Sequence, residues 1–140
     1  MDRKPAFAAL ALACLLGITL ATGSFAGPST DTDGDGVFNV LDNCVSLSNA
    51  APGDCDTDND GYGNMCDGDF DQNLAVNAVD FNTRFVPDFK QGIPGPTGTD
   101  MDCNGAVNAV DFNAKFVPQF KTGKPGPSGL FCAGTVPCDL

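Results

Sequence analysis

The chain has 140 residues, 18 of them acidic against seven Lys and Arg, no His and no Trp, and a formal charge of −11 at pH 7. All the acidic residues are Asp, as no Glu is present. That excess of negative charge excludes nucleic acid and anionic membrane as partners, and the lack of His and Glu removes the usual acid/base residues of an enzyme.

The first segment is a targeting signal by pattern. Arg3 and Lys4 precede an apolar run from Ala6 to about Ala21, and Ser24-Phe25-Ala26 supplies small residues for cleavage before Gly27. A membrane anchor is the competing reading, but the run is short and no stop-transfer charges follow it. Cys14, midway in the run, is filler. Residues 1–26 are therefore read as a signal peptide, with the mature chain exported and secreted to the extracellular space or cell surface, or held in a periplasm. What remains carries 17 Asp against five Lys and Arg, a formal charge of −12.

Four copies of one spaced oxygen set come next: Asp31, Asp33, Asp35, Asn39, Asp42; Asp56, Asp58, Asp60, Asn64, Asp67; Asp69, Asp71, Asn73, Asn77, Asp80; and Asp100, Asp102, Asn104, Asn108, Asp111. In a twelve-residue loop these are positions 1, 3, 5, 9 and 12, the spacing that converges six to eight oxygens on a hard cation. The predicted cofactor is Ca2+, one ion per loop. We number these segments loops 1 to 4. Position 7 adds a backbone carbonyl, from Val37, Tyr62, Ala75 and Ala106. Gly36, Gly61 and Gly105 supply the sharp turn at position 6, where loop 3 has Leu74. A leucine there must strain the backbone or distort the loop, which makes loop 3 the weakest site. Asp replaces the usual bidentate Glu at position 12 in every copy. Four divalent ions would bring the charge of the mature chain to −4, so metal binding and folding are expected to be coupled.

The six remaining cysteines, Cys44, Cys55, Cys66, Cys103, Cys132 and Cys138, read as a disulfide framework, with 15 possible pairings. Cys132 and Cys138 bracket a five-residue loop and form a plausible local pair.

Residues 74–98 and 105–129 repeat one another with a period of 31. Each copy predicts the end of a metal loop, a short helix from about Ala78 or Ala109, and a break near Pro87 or Pro118. Phe81, Phe85 and Phe89, like Phe112, Phe116 and Phe120, fall at i, i+4, i+8 and so share a face, which two facing helices would bury. An aromatic ligand-binding stripe is the alternative. Val76 and Val107 are expected to form a short β-bridge between paired loops. The connectors 92–98 and 123–129 hold only two Gly-X-Y triplets each, too few for a collagen helix, and read as extended linkers that space the helical units or wrap one side of them.

The stretches DTDGDGVFNVLDNC and DCDTDNDGYGNMCD, within residues 31–67, resemble thrombospondin type 3 repeats. The resemblance implies a segment with little regular structure, wound around calcium and tied by disulfides, with Cys44 paired to Cys66. It leaves the partner of Cys55 open, with Cys103 one candidate. DFDQNLAVNAVDFN and DMDCNGAVNAVDFN, within residues 68–122, look like the duplicated loop-helix hands of type I dockerins. That resemblance implies partner contacts at Ala78, Val79, Ala109 and Val110, and a cohesin-like or cell-surface partner. Pro87, Pro118 and Leu74 depart from the dockerin pattern.

The expected architecture is thus a small, mostly irregular calcium-loop protein with short α-helices. It comprises a signal peptide (1–26), a thrombospondin type 3-like segment (27–67), a dockerin-like pair of hands (68–131) and a Cys-containing tail (132–140). The expected function is a secreted, calcium-folded structural or interaction module rather than an enzyme, with docking to a cohesin-type partner as the alternative.

Overall fold

The structure, a computed structural model, describes residues 30–138. The signal segment therefore lies outside the described residues. No strand occurs among the described residues, and regular structure is confined to short helical pieces. Two single 3-10 turns, Asn39–Leu41 and Asn64–Cys66, sit inside loops 1 and 2. Loops 3 and 4 each lead into a helix. Helix α1 starts as Ala78–Asp80, passes through a π-wound stretch Phe81–Phe85 and ends as Val86–Gln91. Helix α2 is built alike from a π-wound Asp111–Phe116 and an α-helical Val117–Thr122.

The expected break at Pro87 and Pro118 does not occur. Both prolines fall in the first turn of the α-helical part, just after the π stretch. Proline is tolerated in a first turn because its missing N–H is not needed there, and the change from π to α winding creates such a turn inside a continuous helix. Each helix instead ends on a left-handed glycine, Gly92 or Gly123.

The core is aromatic. Phe85 and Phe116 are fully buried and stack at 5.4 Å between centroids, with Phe81 and Phe112 tilted against each other at 5.5 Å. The last members of the two stripes, Phe89 and Phe120, are exposed, so only two-thirds of each stripe is core. Their place inside is taken by Phe70 and Met101, at position 2 of loops 3 and 4, both buried in the same cluster as Val76 and Val107. Phe70 stacks on Phe116 and Phe85 at 5.6 and 6.2 Å. Full burial of one such side chain contributes about 1.5–3 kcal/mol.

Val76 and Val107 do not form the expected bridge. The Val76 N–H donates instead to the carbonyl of Gly123 at the end of α2 (3.1 Å), which satisfies the amide without pairing the loops.

The halves are interlocked. Cys44 pairs with Cys66, Cys55 with Cys103 and Cys132 with Cys138. Thus Cys55–Cys103 joins the residue before loop 2 to position 4 of loop 4. The second connector lies along the first half: Pro127 accepts from Val45 N–H (2.9 Å), and the N–H groups of Gly126 and Gly129 donate to Cys66 (2.6 Å) and Asp42 (2.9 Å) carbonyls. This approach needs glycine, since a Cβ on Gly126 would stand 2.7 Å from that of Cys66. The 123–129 segment is a cross-brace rather than a spacer.

Candidate metal centres

All four loops take one backbone form. Position 4 is left-handed in each, at Gly34, Asn59, Gln72 and Cys103, and so is position 6, at Gly36, Gly61, Leu74 and Gly105. These corners turn the position 6 amide back onto the position 1 carboxylate: Gly36 donates to Asp31 (3.0 Å), Gly61 to Asp56 (3.0 Å) and Gly105 to Asp100 (2.7 Å). Leu74 makes the equivalent bond to Asp69. The leucine therefore strains the backbone, with φ of +64°, and leaves the loop form intact.

Carboxylate oxygens are drawn within 4.8 Å of one another in four groups: Asp31, Asp33, Asp35; Asp56, Asp58, Asp60; Asp69, Asp71, Asp80; and Asp100, Asp102, Asp111. Loops 1 and 2 thus gather positions 1, 3 and 5, whereas loops 3 and 4 gather 1, 3 and 12. Two positions cause this: position 5 is Asn73 or Asn104 in loops 3 and 4 and offers no carboxylate, and position 12 is turned differently in the two pairs. Asp80 accepts from the amides of Asp71 (3.2 Å) and Asn77 (2.8 Å), and Asp111 from Met101 (2.8 Å) and Asn108 (2.8 Å), so each folds over the start of its own loop. Asp42 and Asp67 reach forward instead, to the amides of Cys44 (2.8 Å) and Asp69 (2.9 Å). Both stay outside the trios, and burial raises each carboxyl, with the charge of its loop's other Asp residues adding to the rise and the amide it accepts from opposing it.

The position 9 asparagines are used in two ways. Asn39 and Asn64 accept from the amides of Thr32 and Thr57 (both 2.8 Å) and donate to those hydroxyls (2.7 and 2.8 Å). Asn77 and Asn108 accept from the amides of Val79 and Val110 (both 2.8 Å) at the helix starts, and donate to the position 7 carbonyls of Ala75 (2.7 Å) and Ala106 (3.1 Å). Asn77 and Asp80 form a reciprocal capping box. At position 5 both Asn73 and Asn104 are exposed, and Asn104 accepts from Ala106 N–H (3.0 Å).

Like charges crowded together need a counter-ion. Among the described residues, six buried side-chain oxygens lack a partner, and five of them belong to Asp33, Asp42, Asp56, Asp58 and Asp71. A buried carboxylate oxygen without a donor is costly, and a divalent cation would satisfy it at loops 1, 2 and 3. The strain is greatest at loop 2. Burial pushes the Asp60 carboxyl up to about 6, with Asp58, Asp56 and Asp69 adding repulsion, and Asp67 is raised further by burial and by Asp60. Oxygen-only donors without nitrogen or sulfur suit a hard cation such as Ca2+.

The family model of the thrombospondin type 3 repeat matches residues 29–51 and 55–88. This family binds calcium. Its repeats are structural calcium-binding modules of extracellular proteins, not enzymes. The matched stretch takes in loops 1, 2 and 3 and runs into α1, across the boundary expected at residue 67. No curated protein and no solved structure matches the chain. Among the described residues, no helix is long and apolar enough to cross a membrane.

Sequence reasoning missed Phe70, Met101, Thr32 and Thr57. The 31-residue period carried the signal for the first two, because it aligns Phe70 with Met101 as apolar residues inside acidic loops.

Proposed function

We propose that this is an exported structural module that folds around four Ca2+ ions, one in each loop. The ligands are the twenty Asp and Asn side chains at positions 1, 3, 5, 9 and 12, with position 9 acting through water where its oxygen already caps a helix. The observation that carries this reading is the set of unpartnered Asp oxygens in loops 1 to 3. In this role calcium substitutes for a large core. Among the described residues the larger apolar cluster holds six buried side chains and lies between loops 3 and 4 and their helices, and the other is only Met65 beside the Cys44–Cys66 cystine, so loops 1 and 2 depend on disulfides and ions.

Titration calorimetry on chelated protein tests this, with far-UV circular dichroism alongside. The expected result is uptake of four equivalents with a gain of ordered signal. No uptake of Ca2+ would overturn the reading.

A second reading, docking to a cohesin-like or cell-surface protein, is favoured by a specific feature. Ala78, Val79, Ala109 and Val110 are all exposed at the starts of the two helices, Val79 and Val110 by 49% and 50%. Two matched apolar pairs on a duplicated element suit a partner approached in either of two orientations. Capture experiments in calcium with V79D/V110D as control test it, and binding unaffected by that double change would count against it.

A further inference from the structure

Among the described residues, loop 2 is the only metal loop whose corner carbonyls accept hydrogen bonds from another part of the chain. The N–H of Gly134 donates to the Asp60 carbonyl (2.8 Å), the N–H of Cys138 to the Asn59 carbonyl, and the Ser128 hydroxyl to the Gly61 carbonyl (2.6 Å). These three carbonyls belong to positions 4, 5 and 6, the turn that aims the position 5 carboxylate inward. Packing is equally close, as a Cβ on Gly61 would stand 2.8 Å from the Cα of Ala133. The equivalent glycines, Gly36 and Gly105, have nothing within 4 Å of that point. Asp60 is accordingly buried to 3% exposure, while Asp35, its counterpart in loop 1, is only half-buried.

We infer that residues 128–138, closed by Cys132–Cys138, are a clamp that holds loop 2 in its ligand-gathering form and slows loss of its ion. Ser128, Gly134 and Cys138 are positioning residues. Their hydrogen bonds to the turn all go to its backbone, and through it they fix where the Asp60 carboxylate points. Without the cystine, the segment from Ala133 to Pro137 loses its covalent closure, and ordering it over the turn costs more conformational entropy at each residue. The inference rests on the calcium reading above and adds a rank among the sites: loop 2 releases its ion last, and only while the tail is closed.

The chain carries its own reporter. Tyr62, the single tyrosine in a chain with no tryptophan, occupies position 7 of loop 2. Its backbone carbonyl is the one loop 2 offers to an ion, which sets its side chain beside that site, and burial, then the charge of Asp60, Asp67 and Asp69, raises its phenol. Excitation of Tyr62 should sensitise Tb3+ in loop 2, whose position 7 it occupies, most strongly, Tb3+ in the adjoining loop 3 less, and Tb3+ in loops 1 and 4 least. The experiment loads the full chain with Tb3+, mixes it with excess chelator and follows both Tyr62-sensitised emission and total Tb3+ release. In the wild type, sensitised emission should decay more slowly than the bulk.

In C132S/C138S the sensitised decay should quicken by on the order of tenfold, the effect of losing one or two net hydrogen bonds at the turn, with the remaining release unchanged. S128A keeps every disulfide and should give a smaller change in the same direction. Amide hydrogen exchange on the metal-free protein supplies a readout independent of any ion: Gly61 and Tyr62 should exchange faster in both variants. Equal decay and equal exchange in wild type and variants would overturn the clamp. Failure of the wild type to take up either ion would instead remove the calcium reading, with the exchange arm still deciding whether the tail holds the turn.

Discussion

Loops 1 and 2 differ from loops 3 and 4 in how they use one spacing of oxygens. In the first pair the carboxylates gather from positions 1, 3 and 5, and Asn39 or Asn64 is tied back to a threonine at position 2. In the second pair position 12 closes the group, Asn77 or Asn108 starts a helix, and position 2 is Phe70 or Met101 in the core. The ligand pattern therefore does not dictate the fold around it. The residues beyond position 9 and the side chain at position 2 decide whether a loop ends in coil or seeds a helix that can bury apolar surface. A loop of the first kind has to borrow its support, from cystines, the cross-brace and the tail.

The sharpest way to break that contrast is to remove position 2. Phe70→Ala empties a fully buried site between Phe85 and Phe116 and should cost about 3–5 kcal/mol. Thr57→Ala, at the same loop position, removes one side-chain hydrogen bond at an exposed residue and should cost no more than about 1.5 kcal/mol. Urea denaturation in saturating calcium compares the two. Equal costs would mean that the helical pair draws as little on its core as loops 1 and 2 do.

The sequence made much of this legible. Turn residues and oxygen spacing are local, so the loops, the corner at position 6, the strained Leu74 and the starts of both helices could be read from the residues themselves, whereas the left-handed position 4 at Asn59, Gln72 and Cys103 could not. Long-range placement could not. Nothing local says that Gly126 and Gly129 must pass close against loop 1 and the Cys44–Cys66 cystine, nor that Cys55 reaches Cys103 rather than another thiol. Pro87 and Pro118 misled because the rule that proline ends a helix assumes uniform α winding, and the π stretch just before each proline creates a new first turn.

Acidity sharpens the contrast between loop 2 and loop 1. Asp60 in the covered loop is raised to about 6, mainly by burial, whereas Asp35 in the open loop is lowered by the amides of Val37 and Asn49. For Asp60 the folded, metal-free chain binds a proton more readily than the unfolded chain does. Its contribution to stability is therefore fully present below the ordinary value of 3.8 and is lost as pH rises through about 6. Metal-free protein should thus be more stable to urea near pH 4.5 than at pH 7. Calcium must displace the same proton, so lowering the pH from 7 to 5 should weaken the Tyr62-reported site more than the rest. A metal-free stability that rose with pH across this window would show that Asp60 is not held protonated.

The finest test separates loop 3 from its twin, loop 4. Leu74 and Gly105 occupy the same corner at φ of +64° and +90° and make the same bond to a position 1 carboxylate. A left-handed residue other than glycine costs about 1–2 kcal/mol, while glycine gives back about 0.5–1 kcal/mol through the greater freedom of the unfolded chain. Leu74→Gly should therefore stabilise by roughly 0.5–1 kcal/mol, because the leucine is 56% exposed and buries little. Gly105→Leu should destabilise by a similar amount, and by the backbone alone, since no atom lies within 4 Å of the added Cβ. Thermal denaturation of both variants in calcium gives the two values. If Leu74→Gly instead loses stability, the contact of the leucine with Gly134 of the tail outweighs the strain at its own backbone. Loop 3 would then rest on the same clamp as loop 2, and the line between borrowed and intrinsic support would run through the middle of the helical pair.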